Sequence, residues 1–120
     1  MIRGIRGATT VNVNEKTAIV EATTKLLKET IEQNKVTPDL VASIHFTMTK
    51  DLDAVFPAEA VRLFDGWANV PLLCSSEIDV EGSLPFCIRI LMTVNTTQAQ
   101  DDVQHVYLEN AVSLRPDLAS

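Results

Sequence analysis

Histidine is scarce in this 120-residue chain, with two residues, and so are cysteine, with two, and glycine, with four. Two isolated histidines give little basis for imidazole acid–base chemistry or for a metal cluster. Four glycines form no nucleotide-cradling loop, and no Ser-His-Asp signature is present. Cys74 and Cys87 have neither CxxC nor metal-ligand spacing. Reduced thiols in a cytoplasmic protein fit them best, with a disulfide as the alternative. Lysine and arginine total 10 against 16 acidic residues, a net charge of −6, and no basic block occurs. A nucleic-acid role therefore has little support, although a local arginine cluster can still hold a small anion. The apolar runs are too short to span a bilayer and the N-terminus has no signal pattern, so no membrane association is expected.

What is present reads as one compact domain over residues 1–120. Residues 1–11 form a first strand whose glycines, Gly4 and Gly7, point to close approach by another backbone or a ligand. Residues 15–33 are the clearest helix: Ile19, Thr23, Leu26, Leu27, Thr30 and Ile31 make one stripe at helical spacing, and Asn12 or Asn14 is placed to cap it. Pro38 lies just beyond its end. Residues 40–48 read as a second strand, and Pro57 starts a short helix that Gly66 can stop. Phe56 and Trp67 bracket that helix and would anchor it to a core or a neighbour. Residues 70–74 are a third strand, 84–95 a long fourth one, and 105–112 a last extended segment. The tail 115–120 has little to hold it and is expected to be mobile. Short strands with one long and one short helix give an α+β fold with a mixed sheet.

The fourth strand carries the most unusual residue. Cys87, Arg89, Leu91 and Thr93 share one face by alternation, and Ile88, Ile90, Met92 and Val94 the other. The second is the better core face, so Arg89 points to a different environment, such as a pocket or a subunit junction. Arg6, Arg62 and Arg89, with Glu77, Cys74 and Tyr107, form the only chemically suggestive set. Guanidinium groups suit two-point capture of carboxylates, and Glu77 could accept from a ligand hydroxyl. A small polyanion turned over by orientation and electrostatics is one reading. An ordinary structural Arg–Glu network is the other.

Five ordered stretches resemble the small monofunctional chorismate mutases of the AroH class: IRGIRGATTV at 2–11, DLDAVFPAEAVR at 51–62, GWANVPLLCSSEIDVEGSL at 66–84, CIRILMTVNT at 87–96 and HVYLENAVSLRPDL at 105–118. The likeness is weakest in the long helix. It implies a homotrimer with a barrel-like core of sheets and active sites between neighbouring subunits. It also implies cofactor-free and metal-free conversion of the dianion chorismate to prephenate by an intramolecular Claisen rearrangement, without a covalent intermediate. This is a step of aromatic amino-acid biosynthesis.

Carried onto this chain, the resemblance makes Arg89, Glu77 and Arg6 the catalytic residues. Arg89 would meet the ether oxygen of the breaking bond and a carboxylate. Arg6 and Tyr107 would hold a carboxylate, and Glu77 would accept from the ring hydroxyl with Cys74 beside it. Phe56, Ala58 and Arg62 would come from the adjacent subunit, Leu72, Leu73, Ile78 and Leu114 would line the walls, and Arg115 would order the tail at the mouth. Glu59 departs from the lysine expected beside the FPA motif, which implies altered substrate binding more than lost chemistry. Two other readings are a trimeric imine- or enamine-hydrolysing enzyme and a ligand-binding subunit that retains the pocket without turnover.

Overall fold

The computed structural model describes residues 1–114. Five strands form one mixed sheet in the order β3-β2-β4-β1-β5, with β1 at Ile2–Thr10, β2 at Val41–Met48, β3 at Leu72–Ser76, β4 at Cys87–Asn95 and β5 at Val106–Tyr107. The long central strand β4 runs antiparallel to both β1 and β2, while β3 and β5 add in parallel at the two edges.

Helix α1, Lys16–Asn34, covers one face of this sheet. Its stripe of Ile19, Thr23, Leu26, Leu27 and Thr30 is buried, as its spacing predicts. The two buried threonines cost little because each hydroxyl donates to a carbonyl one turn back. Thr23 donates to Ile19 at 2.7 Å and Thr30 to Leu26 at 2.8 Å. Lys35, at φ 52°, ends the helix in the left-handed conformation, and its N–H returns to the last turn. Beneath the helix, Ile5, Ile44, Phe46, Ile90 and Met92 form the main core. Gly7 faces the same side. A Cβ there would lie 2.9 Å from Ile90 Cγ1 and 3.2 Å from Leu26 Cδ1. The bareness of Gly7 thus lets helix and sheet approach.

Several expected local features take another form. Neither Asn12 nor Asn14 caps α1; the N-cap is Glu15, with no side-chain bond. Asn14 instead clamps the loop before Phe56, accepting from the backbone N–H of Asp53 at 3.0 Å and Ala54 at 3.1 Å and donating to the Asp53 carboxylate at 2.7 Å. The short helix, Pro57–Leu63, is 3₁₀. It ends because Phe64 turns extended, before Gly66 is reached. Segment 105–112 is strand only at Val106–Tyr107, after which Glu109–Leu114 winds into another 3₁₀ helix. Glu109, at φ 53°, breaks the extended run. Trp67 is buried and meets Phe64 edge-on, whereas Phe56 is 70% exposed and stays outside the core. Arg115 and the tail 115–120 lie outside the described residues.

Overpacking tests the close approach at Gly7. Gly7→Ala is expected to lower stability by about 1–3 kcal/mol, read from urea or thermal unfolding, because Ile90 and Leu26 must yield to the added methyl.

Candidate active site

Alternation along the strands sorts the expected site residues onto two surfaces. The sheet face away from α1 carries Arg6 and Ala8 from β1, Arg89 and Leu91 from β4, His45 and Thr47 from β2, and Leu73 and Ser75 from β3. Strand register aligns Tyr107, Ala8, Arg89, Thr47 and Ser75 in one row across it. Ala8 alone separates Tyr107 from Arg89 in this row, a span of two strand spacings, about 10 Å. Tyr107 is buried with Ala8 and Ala111, and Leu114 packs against the same cluster. The arginine inside β4 is thus not driven into the core. Its side chain is 45% exposed on the uncovered face.

Glu77 follows β3, and its backbone N–H donates to the Met48 carbonyl at 2.9 Å, which tethers it to the end of β2. Its side chain turns onto the uncovered face and is only 15% exposed. There Glu77 Oε2 lies 3.1 Å from Arg89 Nε and accepts from the Thr47 hydroxyl at 2.9 Å. The contact with Glu77 runs through Nε of the guanidinium. A guanidinium and a carboxylate fixed side by side can hold a ligand that carries both a carboxylate and a hydroxyl. Nothing in the sequence assigns Thr47 to a site; the register that sets it opposite Arg89 is a tertiary fact.

The second surface lies at the β3 edge. Phe56, Ala58, Arg62, Leu72, Leu73 and Cys74 line one cavity of about 980 Å³, which Glu59 also borders and Arg89 does not. Cys74 pairs with Phe46 and so faces the helix-covered side. The expected placement of Cys74 beside Glu77 therefore does not occur within one chain. Ile78 lies with Glu77 along a smaller cavity of about 200 Å³ under the 77–85 loop. That loop is held by Asp79 to Lys50 at 2.7 Å, and the hydrogen bond to Asp79 raises the Lys50 pKa. Glu59 does not stand alone at the cavity wall, since Lys16 Nζ approaches it to 3.9 Å.

Two unforeseen polar clasps fix the ends of the site. Buried Asn34 accepts from the Gln104 N–H and donates to the Gln104 carbonyl, both at 2.8 Å, which pins the approach to β5 and Tyr107. Asp51 accepts from the Phe86 N–H at 3.0 Å, and Thr49 accepts from the Cys87 N–H at 3.0 Å, setting the start of β4. An Asn near a helix end and a Thr-x-Asp run are the only sequence signals for them. His45 shares a 2.6 Å contact with Ser75, and His105 Nδ1 accepts from the Arg6 backbone N–H at 2.9 Å. Among the described residues no group of three His, Cys, Asp or Glu is placed to hold a metal, and no helix is long and apolar enough to cross a membrane.

Burial pushes the Cys87 thiol up from 9.0 to about 11, against the opposing pull of the adjacent Arg89 charge. Both cysteines are free. The unfolded chain releases the Cys87 proton near pH 9 and the folded chain holds it to about pH 11, so folding stability falls as pH rises through that window. Urea midpoints measured from about pH 8 to about pH 11 should fall more steeply for the parent than for Cys87→Ala. Lys50, common to both proteins, cancels in the comparison.

The chain matches the family model described as chorismate mutase type I over residues 2–118. It is 51% identical over 119 residues to a chorismate mutase AroH of Bacillus subtilis, covering 99% of this chain and 94% of that one. It is 50% identical over 121 residues to the AroH of Thermus thermophilus, covering 100% and 98%. A solved chorismate mutase from Clostridium thermocellum superposes with a TM-score of 0.89 at 53% identity, over 92% of this chain and 97% of that one. With a family model matching nearly the whole chain, relatives at about half identity and a sheet that superposes on a solved member, the chain belongs to the type I chorismate mutases.

Proposed function

We propose that this protein rearranges chorismate to prephenate, with Arg89 as the principal electrostatic catalyst and Glu77 as acceptor for the ring hydroxyl. The reaction breaks a carbon–oxygen bond and forms a carbon–carbon bond within one molecule, and no proton changes hands. Its barrier falls when the substrate is held folded and charge developing on the ether oxygen meets a fixed cation. Arg89 supplies that cation. Arg6, on the same face, and Tyr107, in the same row as Arg89, hold carboxylates. The observation that carries this reading is the 3.1 Å Arg89–Glu77 contact on the uncovered sheet face.

A second copy of the chain completes the site in this reading. The cavity bordered by Phe56, Ala58, Arg62 and Cys74 excludes Arg89 within one chain. Ile2, Leu73 and Leu91, the last 46% exposed, leave an apolar surface around the arginines. Covering such side chains stabilises association by about 1.5–3 kcal/mol for each one fully buried. A closed homotrimer with its sheets turned inward as a barrel-like core buries this surface and sets the β3-edge cavity of one subunit against Arg89 of the next. The walls then include Leu72, Leu73, Ile78 and Leu114. Glu59, partly offset by Lys16, tunes entry of the dianion at this rim. The cytoplasm is the expected location.

The test is loss of the ultraviolet absorbance of chorismate, with prephenate identified as product. Arg89→Ala is expected to lower kcat at least about a hundredfold while sedimentation is unchanged. Near-parent turnover in a folded assembly would contradict the assignment.

A further inference from the structure

We propose that Thr47 is a positioning residue for this rearrangement: its hydroxyl and Arg89 Nε together fix one oxygen of Glu77, so that the other carboxylate oxygen and the terminal nitrogens of Arg89 are presented to the substrate. The inference rests on reading Arg89 and Glu77 as the substrate-binding pair.

Thr47 and Arg89 are directly opposed residues of the antiparallel β2–β4 ladder. Their side chains therefore leave the same sheet face as neighbours. Glu77 reaches them from the end of β3, with its backbone tied to Met48 beside Thr47. A hydrogen bond and an ion pair converge on a single atom, Glu77 Oε2, at 2.9 Å from Thr47 Oγ1 and 3.1 Å from Arg89 Nε. An ionised carboxylate only accepts, so the hydroxyl must be the donor. Oε1 takes part in neither contact.

The geometry matters because neither member of the ion pair is rigid alone. A glutamate side chain rotates about several bonds. A guanidinium that is 45% exposed can pivot about a single contact. Threonine is branched at Cβ, has a restricted χ1, and sits in a paired strand between Phe46 and Met48. It is the stiffest of the three side chains. A second fixed donor turns a one-point ion pair into a defined carboxylate orientation, which is what a reaction accelerated by placement requires. Thr47 itself need not touch substrate to act this way.

Three variants separate this role from simple strand packing. Thr47→Val keeps the branched shape and removes the hydroxyl, Thr47→Ser keeps the hydroxyl and removes a methyl, and Thr47→Val is also placed in a Glu77→Ala background. Chorismate turnover is followed with enzyme in excess, so that slow variants stay readable, and folding is checked by circular dichroism and sedimentation. Thr47→Val is expected to lower kcat/KM about ten- to a hundredfold, mainly through kcat. Thr47→Ser is expected to restore most of that loss. In the Glu77→Ala background the valine should add no more than about a twofold loss, because Thr47 then has no carboxylate to hold. An unchanged Thr47→Val enzyme, a serine variant as impaired as the valine one, or an equal valine effect with and without Glu77 overturns the proposal. Should the valine variant fail to fold, the serine variant and Thr47→Ala decide by the same comparison. A parent protein that leaves chorismate unchanged fails the underlying reading instead, and the two failures are distinct.

Discussion

Along β4 the side chains of Ile88, Ile90, Met92 and Val94 are packed away from water, while Arg89 and Leu91 on the other face are not. Strand geometry couples the two facts. With a period of two, no register can bury those four apolar groups and Arg89 on the same side. Forcing the guanidinium beneath α1 would strip its hydration among apolar core groups that offer it no carboxylate. The hydrophobic pattern that secures β4 to the helix thus presents Arg89 on the opposite face, and antiparallel pairing then chooses its neighbours. Ala8 on one side is small enough to leave room, and Thr47 on the other brings a hydroxyl.

The same constraint explains why a single chain looks unfinished. One layer of helix covers one face of the sheet, and the other face keeps exposed leucines beside charged groups. An apolar surface studded with arginines is a poor surface for an isolated monomer and a suitable wall for a pocket between copies. The cavity at the β3 edge has the complementary character, with an exposed Phe56, an exposed Arg62 and no member of the Arg89–Glu77 pair. Catalysis of a unimolecular rearrangement asks for shape and fixed charge more than for reactive groups. The paucity of histidine and the buried thiol of Cys87, its pKa raised by burial, are consistent with that demand.

The legible parts of this molecule are those set by local periodicity. The α1 stripe and the two faces of β4 follow from spacing alone, and both appear as read. The five motifs carry the family, which the comparisons bear out. What could not be read depends on contacts between distant segments. Asn14 is a plausible helix cap in sequence, but two backbone donors at residues 53 and 54 compete for its side-chain oxygen and win. The segment after Tyr107 alternates like a strand, yet after the Leu108 N–H to Ala8 carbonyl bond the chain turns at Glu109. Cys74 looks adjacent to Glu77 in the chain, and the pleat sends it to the other side of the sheet. Thr47 gives no signal because a threonine at a strand end is commonplace until register shows what stands opposite.

In the proposed trimer each active site is divided between two copies, with Arg89 and Glu77 from one and the Arg62 cavity from the other. Complementation between two defective chains tests it most directly. Arg89→Ala and Arg62→Ala proteins are unfolded together, refolded as a mixture and assayed with chorismate against each variant refolded alone. Random assembly gives about a quarter of junctions with both arginines intact. With divided sites, turnover returns toward a corresponding fraction of the parent value. A mixture no more active than the average of the two separate variants would place the whole site within one chain and contradict it.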